Sequence, residues 1–182
     1  MKKFSMKTIA AIIIGAALFF VLGRFVSIPS PIPDTTISIQ YGVLAFVSTV
    51  FGPIAGLFTG LIGHFLIDFT KHLADGSTIW WSWIGASGFF GLVMGLVASK
   101  IDMESGEFEK KQIIIFNMAQ IVIHLLAWLV LAPALDVLVY KETATEAFSQ
   151  GAFCMASNAV ATAVVGTLLC ISYAASKPKK GE

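Results

Sequence analysis

Six stretches of this chain are apolar for so long, and follow one another so closely, that water cannot be the solvent for most of its surface. A helix of about 20 residues crosses the hydrocarbon of a bilayer, and only helices or closed barrels satisfy every backbone group there. Charged residues make up 13% of the chain and hydrophobic ones 57%, where a soluble domain carries about 25% charged residues. These features predict an all-α integral membrane protein, a single bundle of six transmembrane helices over residues 1–182. The spans fall near 7–26, 37–51, 53–70, 79–98, 112–131 and 147–173.

Local breakers set these limits. The segment SIPSPIPDTT (27–36) holds three prolines, which disfavour helix at and before each ring, and reads as an extended loop. The apolar run from 37 to 70 is too long for one ordinary span and is split at Gly52-Pro53. The N-terminal MKKFSMKTIAAIIIGAALFF mimics a secretory signal, but its apolar part is long and no A-x-A site follows, so it reads as a retained first span. Cys154 and Cys170 lie sixteen residues apart in the last span. At helical rise that is roughly 24 Å, which excludes a disulfide between them.

Lysines and arginines favour the cytoplasmic side. With the N-terminus inside, nine of them (Lys2, Lys3, Lys7, Lys100, Lys110, Lys111, Lys177, Lys179, Lys180) fall on one side, and Arg24, Lys71 and Lys141 on the other. The bias predicts both termini in the cytoplasm.

Under that topology the polar residues gather near the outer face. His64 and Asp68 share one stripe of the third span, although an ionisable group in hydrocarbon costs roughly 2.5–3.5 kcal/mol on translocon scales. Trp80, Trp81 and Trp83 open the fourth span; Asn117, Gln120, His124 and Trp128 line one face of the fifth. Gln150, Cys154 and Asn158 recur every fourth residue in the sixth, and Gln40 and Tyr41 begin the second. Polar groups in lipid turn toward the bundle interior or a wet cavity, so one outer pocket accommodates them all. Gln40, His64, Asp68, Trp83, His124, Trp128 and Asn158 are the candidate substrate-binding residues.

Plainer readings stand beside this one. Trp80 and Trp81 fit an aromatic belt, Asn117 and Gln120 fit hydrogen bonds between helices, and His64 with Asp68 fits a self-satisfied pair. Stripes of small residues (Ala11 and Gly15; Gly56, Gly60 and Gly63; Gly88, Gly91 and Gly95) allow helices to approach closely. Most of these suit contacts inside the bundle; one stripe suits docking of another membrane protein.

Several classes of chemistry are excluded. No G-x-x-x-x-G-K-[ST] stretch is present, so the chain holds no P-loop. GASG (85–88) matches the serine context of rhomboid intramembrane proteases, but the sixth span has no histidine to serve as base. The three histidines lack metal-ligand spacing, and the scattered basic residues give no nucleic-acid surface. No enzyme, metal or cofactor is expected.

GRFVSIP, FGPIAGLFTGLIGH, WWSW and LAPALD, in this order and over nearly the whole chain, resemble the substrate-binding S component of energy-coupling factor (ECF) transporters, and most closely a Gram-positive subgroup. The resemblance implies a subunit that captures a vitamin or related metabolite from outside. It also implies two kinds of partner, a transmembrane T component and two cytoplasmic ATPases, with lipid around the bundle. By analogy Ala11 and Gly15 would meet the T component, and the loop 27–36 would close over the ligand. A thiamine precursor is the first candidate substrate. A stand-alone transporter coupled to protons through His64 and Asp68 is the alternative.

Overall fold

The computed structural model describes residues 5–178; Lys2, Lys3, Lys179 and Lys180, which entered the orientation count, lie outside the described residues. Six helices follow one another as α1 (Met6–Phe25), α2 (Gln40–Phe51), α3 (Pro53–Asp75), α4 (Trp81–Ala98), α5 (Lys110–Tyr140) and α6 (Ala144–Ala175). All but α2 are long and apolar enough to cross a membrane, and α2 is a shorter apolar helix. Their outward faces carry Ile13, Leu18, Met118, Val122, Val160 and Leu168, as lipid-facing surfaces do. This is an all-α membrane protein.

The proline-rich loop forms a two-stranded antiparallel hairpin, β1 (Ile28–Pro29) with β2 (Thr36–Ile37). It lies at one end of the bundle with the α3–α4 and α5–α6 connections; we call this the hairpin end and the other the terminal end. Between α2 and α3 the chain turns through Gly52 at φ 91°, in the left-handed region that glycine enters without penalty. Pro53 then occupies the first turn of α3, where its missing N–H costs nothing.

Two helix pairs are held by different means. Along α3 and α4 glycines face each other: a Cβ on Gly91 would stand 2.2 Å from the Gly56 carbonyl oxygen, and one on Gly60 2.4 Å from that of Ser87. In α5 and α6 the regular ladder widens into π-helical turns at Leu125–Leu131, Asp136–Tyr140 and Thr162–Gly166. The wide turns carry α5 through Pro133 without a break, since proline cannot supply the N–H of a regular turn. The fifth helix therefore runs to Tyr140, beyond the expected limit at 131, and brings Asp136 inside the bundle.

The small residues of α1 require a correction. Ala11 and Gly15, expected on a docking face, are buried within the bundle. Ala11 packs with Val43, Val47 and Ala55, and a Cβ on Gly15 would meet the Thr59 hydroxyl at 2.9 Å and Val47 at 3.1 Å. Their smallness serves the approach of α1 to α2 and α3. The exposed face of α1 instead presents Ala10, Ile13, Ile14, Ala17 and Leu18.

At the terminal end, the Tyr173 hydroxyl donates to Glu104 at 2.6 Å and Lys177 pairs with the same carboxylate at 2.9 Å. This ties the α4–α5 connection to the end of α6. The Tyr173 hydrogen bond, and after it Lys177, holds the Glu104 carboxyl below its ordinary range.

Candidate functional site

A cavity of about 410 Å³ opens at the hairpin end. Its position follows from the helix ends: α2 and α4 begin there, α3 and α5 finish there, and the hairpin lies over it with Asp34, Thr35 and Thr36 in its wall. The hairpin is fastened to the opposite side of the bundle, where the Gln150 amide donates to the Pro33 carbonyl at 3.3 Å.

Of the seven candidate residues, Gln40, His64, Asp68, Trp83, Trp128 and Asn158 line this cavity. They come from five helices and meet only in the folded bundle. His124 does not line it. It lies fully buried behind the wall, accepting from the Trp128 indole N–H at 2.9 Å and facing the Thr162 hydroxyl at 3.0 Å. The four-residue spacing that places His124 and Trp128 on one stripe also makes them partners, so His124 fixes the ring that reaches the cavity. Phe90 stacks on His124 at 4.1 Å and holds it from the far side.

The aromatic wall is a stacked pair: Trp83 and Trp128 lie 5.5 Å apart with planes inclined by 21°. Both indole N–H groups are already used. Trp128 donates to His124, and Trp83 donates to Asp136, which also accepts from the Ser82 hydroxyl. The rings therefore offer the cavity apolar surface and π-electron density rather than donors. Tyr41 closes the stack edge-on to Trp128, with centroids 5.1 Å apart.

A polar chain runs from Tyr41 to Asp68. The Tyr41 hydroxyl and the Ser87 hydroxyl are 2.9 Å apart, and Ser87 lies 2.6 Å from His64 Nδ1. His64 Nε2 stands 3.7 Å from Asp68, whose second oxygen accepts from the Trp80 backbone N–H at 3.0 Å. Gln40 accepts from Ser38, and its amide sits where Gly23 leaves room: a Cβ on Gly23 would overlap the Gln40 side-chain oxygen at 1.7 Å. Asn158, only 5% exposed, turns a carboxamide to the cavity and makes no side-chain hydrogen bond among the described residues.

Sequence reading missed Asp136, Ser87 and the anchoring role of Tyr41. Asp136 lies beyond the expected end of the fifth span at 131 yet inside the bundle; the signal is the acid following a proline in LAPALD. Ser87 is the serine of the GASG stretch that matches the rhomboid context. It is fully buried and hydrogen-bonded to the Trp83 carbonyl, so it acts as a spacer between Tyr41 and His64. Asn117 and Gln120 do bond between helices, to the Thr167 hydroxyl at 3.0 Å and the Ala159 carbonyl at 3.3 Å. Trp80 packs on Tyr140 and also borders the cavity, whereas Trp81 is exposed and stacks on Phe65.

Comparison with known proteins adds an independent finding. Residues 3–175 match the family model described as ECF-type riboflavin transporter, S component. A UPF0397 protein of Enterococcus faecalis is 46% identical over 180 residues, covering 99% of this chain and 96% of that protein. A UPF0397 protein of Staphylococcus aureus is 44% identical over 177 residues, covering 97% and 94%. No solved structure matches.

Proposed function

Since the chain belongs to the S-component family of ECF-type transporters, we propose that its cavity captures a flat heteroaromatic vitamin or vitamin precursor from outside the cell for ATP-driven uptake. S components are membrane-embedded substrate-binding subunits for vitamin-like uptake and not enzymes. A thiamine-precursor pyrimidine is the first candidate substrate, the hairpin end faces outward with both termini inside, and a T component with two ATPases drives release.

The stacked Trp83–Trp128 wall beside the unpaired Asn158 carboxamide carries this reading. A planar ring gains stacking area on the Trp83 indole, and a carboxamide supplies an NH2 donor group and a carbonyl acceptor in fixed directions. Small-molecule sites are mostly apolar with a few directed polar groups, in pockets of about 300–1,000 Å³. A cavity of about 410 Å³ falls within that range. Gln40, His64 and Asp68 complete the polar wall, and His124 acts through Trp128.

Mass spectrometry of small molecules that co-purify with the protein tests the substrate. A pyrimidine or thiazole vitamin precursor is expected; a flavin in its place would refute the single-ring assignment. The His64–Asp68 pair and its chain to Tyr41 favour one second reading, a proton-coupled transporter working alone. Uptake in cells lacking the T component and ATPases separates the two. Uptake that vanishes supports the S-component mechanism, and undiminished uptake supports the alternative.

A further inference from the structure

The charge around the cavity is one-sided. Five carboxylates line it (Asp34, Asp68, Asp75, Glu142 and Glu146) against a single lysine, Lys71. Four of these acids sit on the hairpin or near helix ends at the mouth; Asp68 lies deeper and is only 6% exposed. A buried carboxylate ordinarily needs a cation or several donors to offset lost hydration. Among the described residues Asp68 accepts one hydrogen bond, from the Trp80 backbone N–H at 3.0 Å, and His64 at 3.7 Å is beyond hydrogen-bond length. In the same cavity the partly exposed Trp83 presents negative π density, because its positive N–H edge is turned away to Asp136, and the buried Trp128 stacks behind it. Asn158, nine-tenths buried and unpaired, waits at the same cavity for a hydrogen-bonding partner.

Carboxylate, indole faces and an open carboxamide are complementary to one chemical class. We propose that the site takes its ligand as a planar aromatic cation of the amidinium type. The ring lies against Trp83, which Trp128 backs, an N–H edge meets Asp68, and Asn158 reads a ring or substituent heteroatom. The acids at the mouth raise the local concentration of cations and speed their entry. This assignment rests on the reading of the cavity as the substrate site.

The test uses three flat probes of nearly equal size and different charge: benzamidinium, benzamide and benzoate. They are titrated against the purified full chain in nanodiscs of uncharged lipid, with tryptophan fluorescence as readout. Benzamidinium is expected to bind at least about tenfold more tightly than benzamide, with benzoate weakest. The Asp68→Asn variant should lose that advantage, with the larger loss falling on benzamidinium. In the exposed-site variant Glu146→Gln, benzamidinium affinity should fall by a smaller factor, about twofold, and depend less on salt. Equal affinity for benzamide and benzamidinium overturns the proposal. So does an advantage that survives both substitutions, or failure of all three probes to bind. ATP-driven uptake with a T component and ATPases is scored separately. Uptake without a cation preference leaves the transport function standing and removes only the ligand's charge; cation binding without uptake does the reverse.

Discussion

The α3–α4 pair and the α5–α6 pair both cross the bundle antiparallel, yet they solve the packing problem in opposite ways. In α3–α4 the side chains are removed: Gly56 faces Gly91, and Gly60 faces the Ser87 backbone, so main chain lies on main chain. In α5–α6 polar side chains fill the space, with Asn117 on Thr167, Gln120 on Ala159 and His124 on Thr162. Bilayers give no hydrophobic force between helices, so close van der Waals contact and interhelical hydrogen bonds are the two remaining means of association. Among the described residues, the polar seam leaves the Asn117 and Gln120 carbonyl oxygens unpaired, each at a cost of about 1–3 kcal/mol, and its helices contain the three π-helical stretches. The first pair is a fixed frame for His64 and Asp68; the second has the irregular turns that π-bulges bring to functional sites and carries Trp128 and Asn158.

Breaking the glycine seam should have the largest effect. In Gly91→Leu the new Cβ lands on the Gly56 carbonyl, and backbone cannot yield as a side-chain tip can. Loss of about 3 kcal/mol or more is expected, read as aggregation on size-exclusion chromatography in detergent. A monodisperse variant with unchanged melting temperature would mean that α3 and α4 are not so close. Next comes Trp128, only 1% exposed. Trp128→Ala should cost about 3–5 kcal/mol of stability as well as ligand affinity. Trp128→Phe keeps most of the packing and should retain the fold while weakening ligand capture, so the pair of variants separates core from site.

A smaller effect is expected at Asp136, which holds Ser82 and Trp83. Asp136→Asn removes a charged acceptor, worth about 1.5–3 kcal/mol for a hydrogen bond to a charged group. The near-ultraviolet circular dichroism of the tryptophans should change with it. An unaltered spectrum would show that the Trp83–Trp128 stack does not need this anchor. The smallest effect lies at the terminal end. Glu104 has its carboxyl pKa depressed by the Tyr173 hydroxyl and Lys177, so this contribution is full above the ordinary carboxylate range and is lost as pH falls through the lowered value. Because the group is exposed and solvent-screened, Glu104→Gln should speed amide exchange in residues 99–109 at neutral pH without moving the melting temperature. At a pH low enough to protonate Glu104, wild type and variant should exchange alike.

Much of this was legible in the residues. Apolar runs gave the helices because spanning length and backbone satisfaction leave few alternatives. The Gly52-Pro53 break, the extended proline-rich loop and the glycine stripes each follow from local backbone chemistry. The wall of the cavity was legible where polar residues recur at helical spacing, as in His64 with Asp68 and in Gln150, Cys154 and Asn158. Facing was harder. Periodicity puts His124 and Trp128 on one stripe but does not say which one reaches the cavity and which lies behind it. The same limit explains Ala11 and Gly15, whose spacing suits an outward docking face and an inward contact equally well.

By itself, then, the order of residues determined a lipid-embedded helical bundle, the places where its helices stop, and a concentration of polar and aromatic groups toward one end, because solvent and backbone geometry act locally along the chain. Only the folded arrangement decided that Asp136 enters the bundle to orient Trp83, that Ser87 joins Tyr41 to His64, and that Ala11 and Gly15 face inward. Those outcomes depend on how each helix is rotated against its neighbours, and packing between distant segments sets that rotation.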